Sequence, residues 1–168
     1  MEDLRIVPAD NAELLYNIAA LADDIWHEHF TPIIGEQQVE YMLEKFQSVD
    51  ALNRQIMSEG YEYFVLIYEY LMAGYVGIKE EADALFLSKL YIHEECRGKH
   101  ISTNVLRYLI SLCKTRGLKK IWLTCNKYNA NTLEVYKHLG FEIVRSQVTD
   151  IGNGFVMDDY ILEYPITD

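Results

Sequence analysis

One stretch of the chain, Leu90-Tyr91-Ile92-His93-Glu94-Glu95-Cys96-Arg97-Gly98-Lys99-His100-Ile101-Ser102-Thr103, joins an apolar strand end, a short polar loop and a helix start. The first N–H groups of a helix have no intrahelical partner and lie at the positive end of its dipole, so such a junction is an anion site in the making. Arg97 and Lys99 add charge of the sign a phosphate needs, but no Walker-type glycine spacing precedes Arg97-Gly98-Lys99. A second stretch, Asn129 to Phe141, carries an amide at its start and the phenol of Tyr136 further along. Taken alone, Asn129 fits a helix N-cap or turn and Tyr136 a core tyrosine. Asp158-Asp159 sets two carboxylates side by side in a strand, where alternation sends one to each face. One of them, with Asp158 as the catalytic candidate, can then line a cleft and accept a proton, while the alternative is charge that polarises a strand edge. His27-Glu28-His29 holds two imidazoles and a carboxylate, yet helical residues two apart do not share a face. A solvated helix end is therefore expected there, and no metal.

The elements that must position these groups follow from the hydrophobic period. Leu4 to Val7 alternates as a first strand. Asp10 with Glu13 has the form of a capping box, and Leu14, Leu15, Ile18, Leu21, Ala22, Ile25 and Trp26 continue a helical stripe that Thr31-Pro32 is expected to end. Val39, Met42, Leu43 and Phe46 mark a second helix, and Leu52, Ile56 and Met57 a third, closed by Gly60. The period then shortens. Tyr61–Tyr68, Tyr75–Lys79 and Leu85–Ile92 read as a meander with turns at Ala73-Gly74 and Glu80-Asp83. Ile101 to Cys113 is a long helix with Gly117 as its C-cap, and Lys119–Cys125 a strand. Asn131–His138 is a short helix, and Phe141–Thr149 and Phe155–Tyr164 are two closing strands. A strand–helix–strand unit among mostly antiparallel strands predicts a mixed α/β sheet flanked by helices, with one parallel pair formed by 85–92 and 119–125.

Composition narrows the class. The chain has 168 residues, half of them hydrophobic, with a net charge of −11. That length and the absence of any linker or repeat predict a single domain over residues 1–168, and the apolar content excludes disorder. No apolar run approaches the ~20 residues of a membrane span. The start Met1-Glu2-Asp3-Leu4-Arg5 lacks the basic and apolar parts of a signal peptide. Cys96, Cys113 and Cys125 form neither a disulfide framework nor a zinc pattern. A cytoplasmic location is expected. So acidic a surface repels nucleic acid and anionic membrane, keeps the protein soluble and attracts cations such as amines.

Together the two motif stretches resemble the GCN5-related N-acetyltransferase (GNAT) superfamily. There, Arg/Gln-x-x-Gly-x-Gly/Ala opens the helix that holds the coenzyme A pyrophosphate, and Asn-x-x-Ala-x-x-x-Tyr-x-x-x-Gly-Phe follows the next strand. Asn129, Tyr136, Gly140 and Phe141 match the second motif, with Thr132 at the usual Ala. The order of elements is the family's order over nearly the whole chain. The first motif departs at two places, where His100 and Ser102 stand for Gly and Gly/Ala. Glycine there lets backbone approach the pyrophosphate and tolerates unusual dihedrals.

The resemblance implies an acetyl-CoA-dependent N-acetyltransferase that passes acetyl directly to a primary amine of a small molecule or protein, with acetyl-CoA as co-substrate. It implies that Leu90, Tyr91 and Ile92 offer backbone N–H groups to the pantetheine and the oxyanion, and that Arg97, Gly98, Lys99, His100, Ile101, Ser102 and Thr103 hold the pyrophosphate. Asn129 would bond the pantetheine arm, and Tyr136 would protonate the departing thiolate. For the base, Glu28, His27, His29 and the Asp158–Asp159 pair stay open. The region Trp26 to Gly35, with Tyr41 and Phe46, looks like the branch of bacterial polyamine acetyltransferases. A monomer or homodimer is expected. The alternative, motivated by His100 and Ser102, is a weak or inactive protein of this fold that binds coenzyme A or a partner.

Overall fold

The computed structural model describes residues 3–167. Seven strands form a mixed sheet in the order β1-β2-β3-β4-β5-β7-β6. They are β1 (Leu4–Pro8), β2 (Tyr61–Tyr68), β3 (Leu71–Glu81), β4 (Ala84–Ile92), β5 (Lys120–Asn126), β6 (Glu142–Gly152) and β7 (Phe155–Pro165). Five helices accompany them: α1 (Ala12–Ile34), α2 (Glu36–Met42), α3 (Val49–Ser58), α4 (Ile101–Arg116) and α5 (Ala130–His138). The β4–β5 ladder is parallel and starts at Ala84↔Lys120, while β1–β2, β2–β3, β5–β7 and β6–β7 are antiparallel. The predicted fold class and the single parallel pair are thus present. Among the described residues no helix is long and apolar enough to cross a membrane.

Two compact units emerge from the contacts. The first runs to Lys79 and resumes over Lys89–Leu106. Its core is the α1 stripe Leu15, Ile18, Ala22, Ile25, Trp26 and Phe30, buried at the 3–4 spacing of one helix face. Several boundaries differ from the sequence expectation. Asn11 rather than Asp10 caps α1, its side chain accepting from the Leu14 N–H at 2.9 Å. Thr31-Pro32 does not end that helix. Pro32 sits in its last turn, where only one internal donor is lost, and the chain leaves the helix at Gly35, whose φ of +87° suits glycine. His27-Glu28-His29 therefore lies inside a helix, not at its end. The second predicted helix continues into a π turn, Leu43–Gln47. Met57, expected in the apolar stripe of α3, is 76% exposed, and Gln55 takes the buried place.

The first hairpin also turns elsewhere than expected. Glu69 and Tyr70, with φ of +48° and +70°, make a two-residue loop whose twist matches that of the flanking strands. Gly74 lies inside β3, paired with Leu66. A Cβ there would stand 2.2 Å from the Tyr91 carbonyl oxygen, so glycine at 74 admits the backbone of β4 and does not mark a turn.

The second unit is Glu80–Ser88 with the chain from Arg107 onward. Ile121, Leu123 and Cys125 alternate into its interior along β5, and Ile161 and Leu162 of β7 are fully buried beside that strand. Phe86 and Trp122 stack across the parallel pair with ring centres 4.1 Å apart. Phe141 and Tyr164, at 5.5 Å, close the end of α5.

Candidate active site

In the first unit the end of β4 is fixed from both sides of the chain. The His93 N–H donates to the Ala73 carbonyl at 2.7 Å, and Arg97 Nε reaches back to the Ile92 carbonyl at 3.0 Å. Tyr91 enters an aromatic cluster with Trp26, Phe30 and Tyr75, at ring-centre distances of 5.4 to 5.9 Å. Leu90, Tyr91 and Ile92 are all partly accessible. After a short 3-10 turn, Glu94–Cys96, the chain passes Gly98 at φ +77° and His100 at φ +60° before α4 begins. His100 therefore adopts the left-handed conformation for which the family pattern has glycine, and histidine is among the non-glycine residues that visit it. The His100 carbonyl accepts from the Asn104 N–H at 3.2 Å and from Asn104 Nδ2 at 2.8 Å, which fixes the first turn. Ile101 is buried, while Ser102 and Thr103 in that turn are partly accessible. Ser102 costs no backbone distortion, because its position is already helical.

Arg97 is held, not loose: its Nη2 lies 2.8 Å from a Glu28 carboxylate oxygen. Lys99 extends over the Tyr68 ring, 5.7 Å from its centre. Glu28 belongs to an open hollow of about 520 Å³ lined also by Asp23, Asp24, His27, His93 and Glu94. His27 bonds the Asp23 carbonyl at 2.7 Å and, through its other ring nitrogen, the Glu40 carboxylate. Those two bonds, the backbone one first, raise its pKa. His29 packs edge-on against Phe30 at 4.8 Å. The three members of the His-Glu-His run thus take three different partners. Among the described residues no group of three or more His, Cys, Asp or Glu side chains is gathered as a metal would need.

In the second unit Asn129 stands at the N-cap position of α5, buried, without its side chain capping the helix. Tyr136, on the same helix, sets its ring edge-on to Phe141 at 5.4 Å. Part of the residue stays accessible, but the hydroxyl end is desolvated and lies near the Cys125 thiol, and both influences push the phenol pKa up. The Cys125 thiol is itself pushed up to about 12, by burial and then by Asp159. Of the carboxylate pair, Asp158 is half-buried and ion-paired with Lys127 at 2.9 Å. Asp159 is buried, and desolvation, with Asp158 beside it, raises its pKa to about 6 against the pull of Lys127. The predicted division of the pair between two environments is present. The ion pair occupies Asp158, whereas Asp159 is the carboxylate with basicity nearer neutral.

Sequence reasoning missed three features. The Arg97–Glu28 pair joins residues far apart in the chain, and the Cys125 thiol near Tyr136 has no motif. A buried polar group around Lys89 falls in a run that reads as plain strand. Only the lysine itself, in an otherwise apolar stretch, was a signal.

Comparison with known proteins gives the family and the fold. The model of the Acetyltransferase (GNAT) family matches residues 19–141. A probable N-acetyltransferase, camello, of Xenopus laevis is 28% identical over 97 residues, covering 56% of this chain and 44% of that protein. The chain spans about half the length of the curated relatives it matches. By fold, the PaiA N-acetyltransferase of Thermoplasma acidophilum, solved in complex with coenzyme A, superposes with a TM-score of 0.78 at 19% identity, covering 96% of this chain and 98% of that one. The dodecameric spermidine N-acetyltransferase of Vibrio cholerae gives 0.67 at 17% identity, covering 98% and 95%. With the family model matched over residues 19–141, most of the chain, the chain belongs to the GNAT family of acetyltransferases.

Proposed function

We propose that this protein transfers the acetyl group of acetyl-CoA directly to a primary amine, and that the amine is a small cationic molecule. The observation that carries the reading is the junction from β4 into α4. There a fixed strand end, two left-handed residues and a helix N-terminus stand in one run beside Arg97 and Lys99. The left-handed His100 weighs against a lost coenzyme site, since the loop adopts at this position a conformation that favours glycine. Acetyl-CoA supplies the activated thioester. Backbone N–H groups of Leu90–Ile92 orient it and meet the oxyanion that forms when the amine attacks. The segment from Arg97 to Thr103 holds the pyrophosphate, and Asn129 bonds the pantetheine arm.

Proton traffic we assign to Tyr136 and the aspartate pair. Tyr136 donates to the departing thiolate sulfur; desolvation keeps that phenol protonated at any working pH. For the amine's proton, a pKa of about 6 suits Asp159 better than its ion-paired neighbour Asp158, with water as the intermediary. The acidic hollow at Asp23, Asp24, Glu28 and Glu94, and the net charge of −11, favour cationic acceptors over protein termini. Likeness in fold to a spermidine N-acetyltransferase points the same way. A cytoplasmic setting fits three buried free thiols. The test is release of free thiol from acetyl-CoA with spermidine, putrescine and an unmodified peptide N-terminus as acceptors. Turnover with the polyamines and little with the peptide is expected. Equal rates for all three would remove the cationic preference.

A further inference from the structure

Helix α2 and its π turn end inside the first unit, and that end needs donors. Ser48 leaves the helical conformation at ψ 161°, so the last carbonyls lose their intrahelical N–H partners. Side chains replace them. Ser48 Oγ donates to the Glu44 carbonyl at 2.7 Å, an Arg54 nitrogen to the Lys45 carbonyl at 3.3 Å, and Gln55 Nε2 to the Phe46 carbonyl at 3.1 Å. The Phe46 carbonyl takes a second donor from across the sheet, Lys89 Nζ of β4. Lys89 also donates to Gln55 Oε1 at 3.2 Å and sits 5.1 Å from the centre of the Tyr63 ring. Tyr63 donates to the same Gln55 oxygen, and Tyr75 to Gln47 Oε1 at 2.9 Å. Every polar group named here thus has a partner, and Lys89 is only 5% exposed.

An interior lysine is costly, and burial pushes its amine down to about 7, with Glu59 opposing. Filling space alone would be done better by an apolar side chain of similar volume. What methionine cannot do is donate to a buried carbonyl at a helix C-terminus, where a cation is also favoured by the dipole. We propose that Lys89 is a positioning residue: from β4 it caps the buried end of α2 and its π turn, and so holds residues 36–47 in place relative to the strand end Leu90–Ile92. The consequence for catalysis rests on the acetyl-transfer reading above, in which that strand end presents the thioester and the acidic hollow takes the acceptor; Glu40 of the helical segment bonds His27 at that hollow.

The test pairs Lys89→Met with Lys89→Arg and reads hydrogen exchange over 36–47 as well as kinetics. Loss of the Lys89 donor, which leaves the Phe46 carbonyl with Gln55 alone, should speed amide exchange in that segment about ten-fold in Lys89→Met, with β2 and β3 unchanged. The acceptor KM should rise by a similar factor, while acetyl-CoA affinity stays within about two-fold. Lys89→Arg, which keeps the donor, should recover much of the loss. Unchanged exchange over 36–47 in Lys89→Met overturns the proposal. If that variant does not fold, Lys89→Gln, which keeps a polar group but is one bond too short to reach the Phe46 carbonyl, should loosen the same segment; unchanged exchange there also overturns it. Exchange needs no substrate, so it still decides the capping role if the parent protein proves to have no transferase activity.

Discussion

Gly74→Ala is a sharp probe of the strand end, because it pushes on the β4 backbone from a neighbouring strand without replacing any proposed binding residue. The added methyl would lie 2.2 Å from the Tyr91 carbonyl oxygen and 3.2 Å from both Cα and Cδ1 of Ile92. Non-bonded carbon contacts are comfortable at roughly 3.5 Å, so the two backbones must part by on the order of 1 Å. The hydrogen bond from His93 to Ala73 holds them together at that point. Overpacking of this kind costs about 1–3 kcal/mol, and the upper end applies where the obstacle is backbone that cannot change rotamer. Gly77→Ala in the same strand is the control. There the nearest atom is Tyr63 Cε1 at 2.7 Å, part of a buried ring whose hydroxyl bonds Gln55, so a cost of about 1–3 kcal/mol is expected here too, but with the strain on β2 instead of the strand end. Urea titration gives the two stabilities, and calorimetric titration with acetyl-CoA, at a temperature where both variants are folded, gives the affinities. Gly74→Ala should bind at least about ten-fold more weakly than the parent, since a displacement of this size at a positioning segment removes well-aligned donors. Gly77→Ala should bind as the parent does. Parental affinity in a folded Gly74→Ala protein would refute the role given to Leu90–Ile92.

Two further substitutions test the second unit. Tyr136→Phe should lower kcat by about a hundred-fold or more and leave the affinity for coenzyme A unchanged, as loss of a proton donor requires; steady-state kinetics with a calorimetric Kd checks both. Asp159 has a folded pKa of about 6, above the ~3.9 of an unfolded aspartate, so the folded state binds the proton more tightly and stability falls as pH rises from about 4 to about 6. Asp159→Asn should therefore be more stable than the parent at neutral pH, by up to about 3 kcal/mol, and lose that slope. Urea titrations at acidic and neutral pH read it. The same variant should lose turnover, and a parental rate would return the proton-acceptor role to another group.

How far the sequence could be read depended on the range of the interactions involved. Element types came through because burial imposes its period locally, as in the α1 stripe from Leu15 to Phe30 and the alternation of Ile121, Leu123 and Cys125. Errors arose where a residue answered to something distant in sequence. Gly74 reads as a turn glycine, but what requires it is Tyr91 on another strand. Pro32 reads as a stop, yet one missing donor in a last turn does not end a helix packed along its length. The motif proposed to hold the pyrophosphate was legible at Arg97 because its residues are contiguous, and His100 could be weighed only through its φ. Asp158 and Asp159 were seen to face differently, but which one would meet Lys127 is decided by the β5–α5 connection, outside the strand that carries them. Lys89 shows the same limit: its partners on the π turn and α3 lie far back in the chain.

The central claim is that the run from Leu90 to Thr103 holds acetyl-CoA with His100 and Ser102 in the places of small residues. Isothermal titration of the purified protein with acetyl-CoA, and in parallel with coenzyme A, measures it directly. Saturable binding at a single site with micromolar Kd, for both ligands, is the expected result. Heats no greater than dilution at the highest workable concentration would contradict it and leave the acidic hollow and the buried Lys89 cluster as features of a protein with another function.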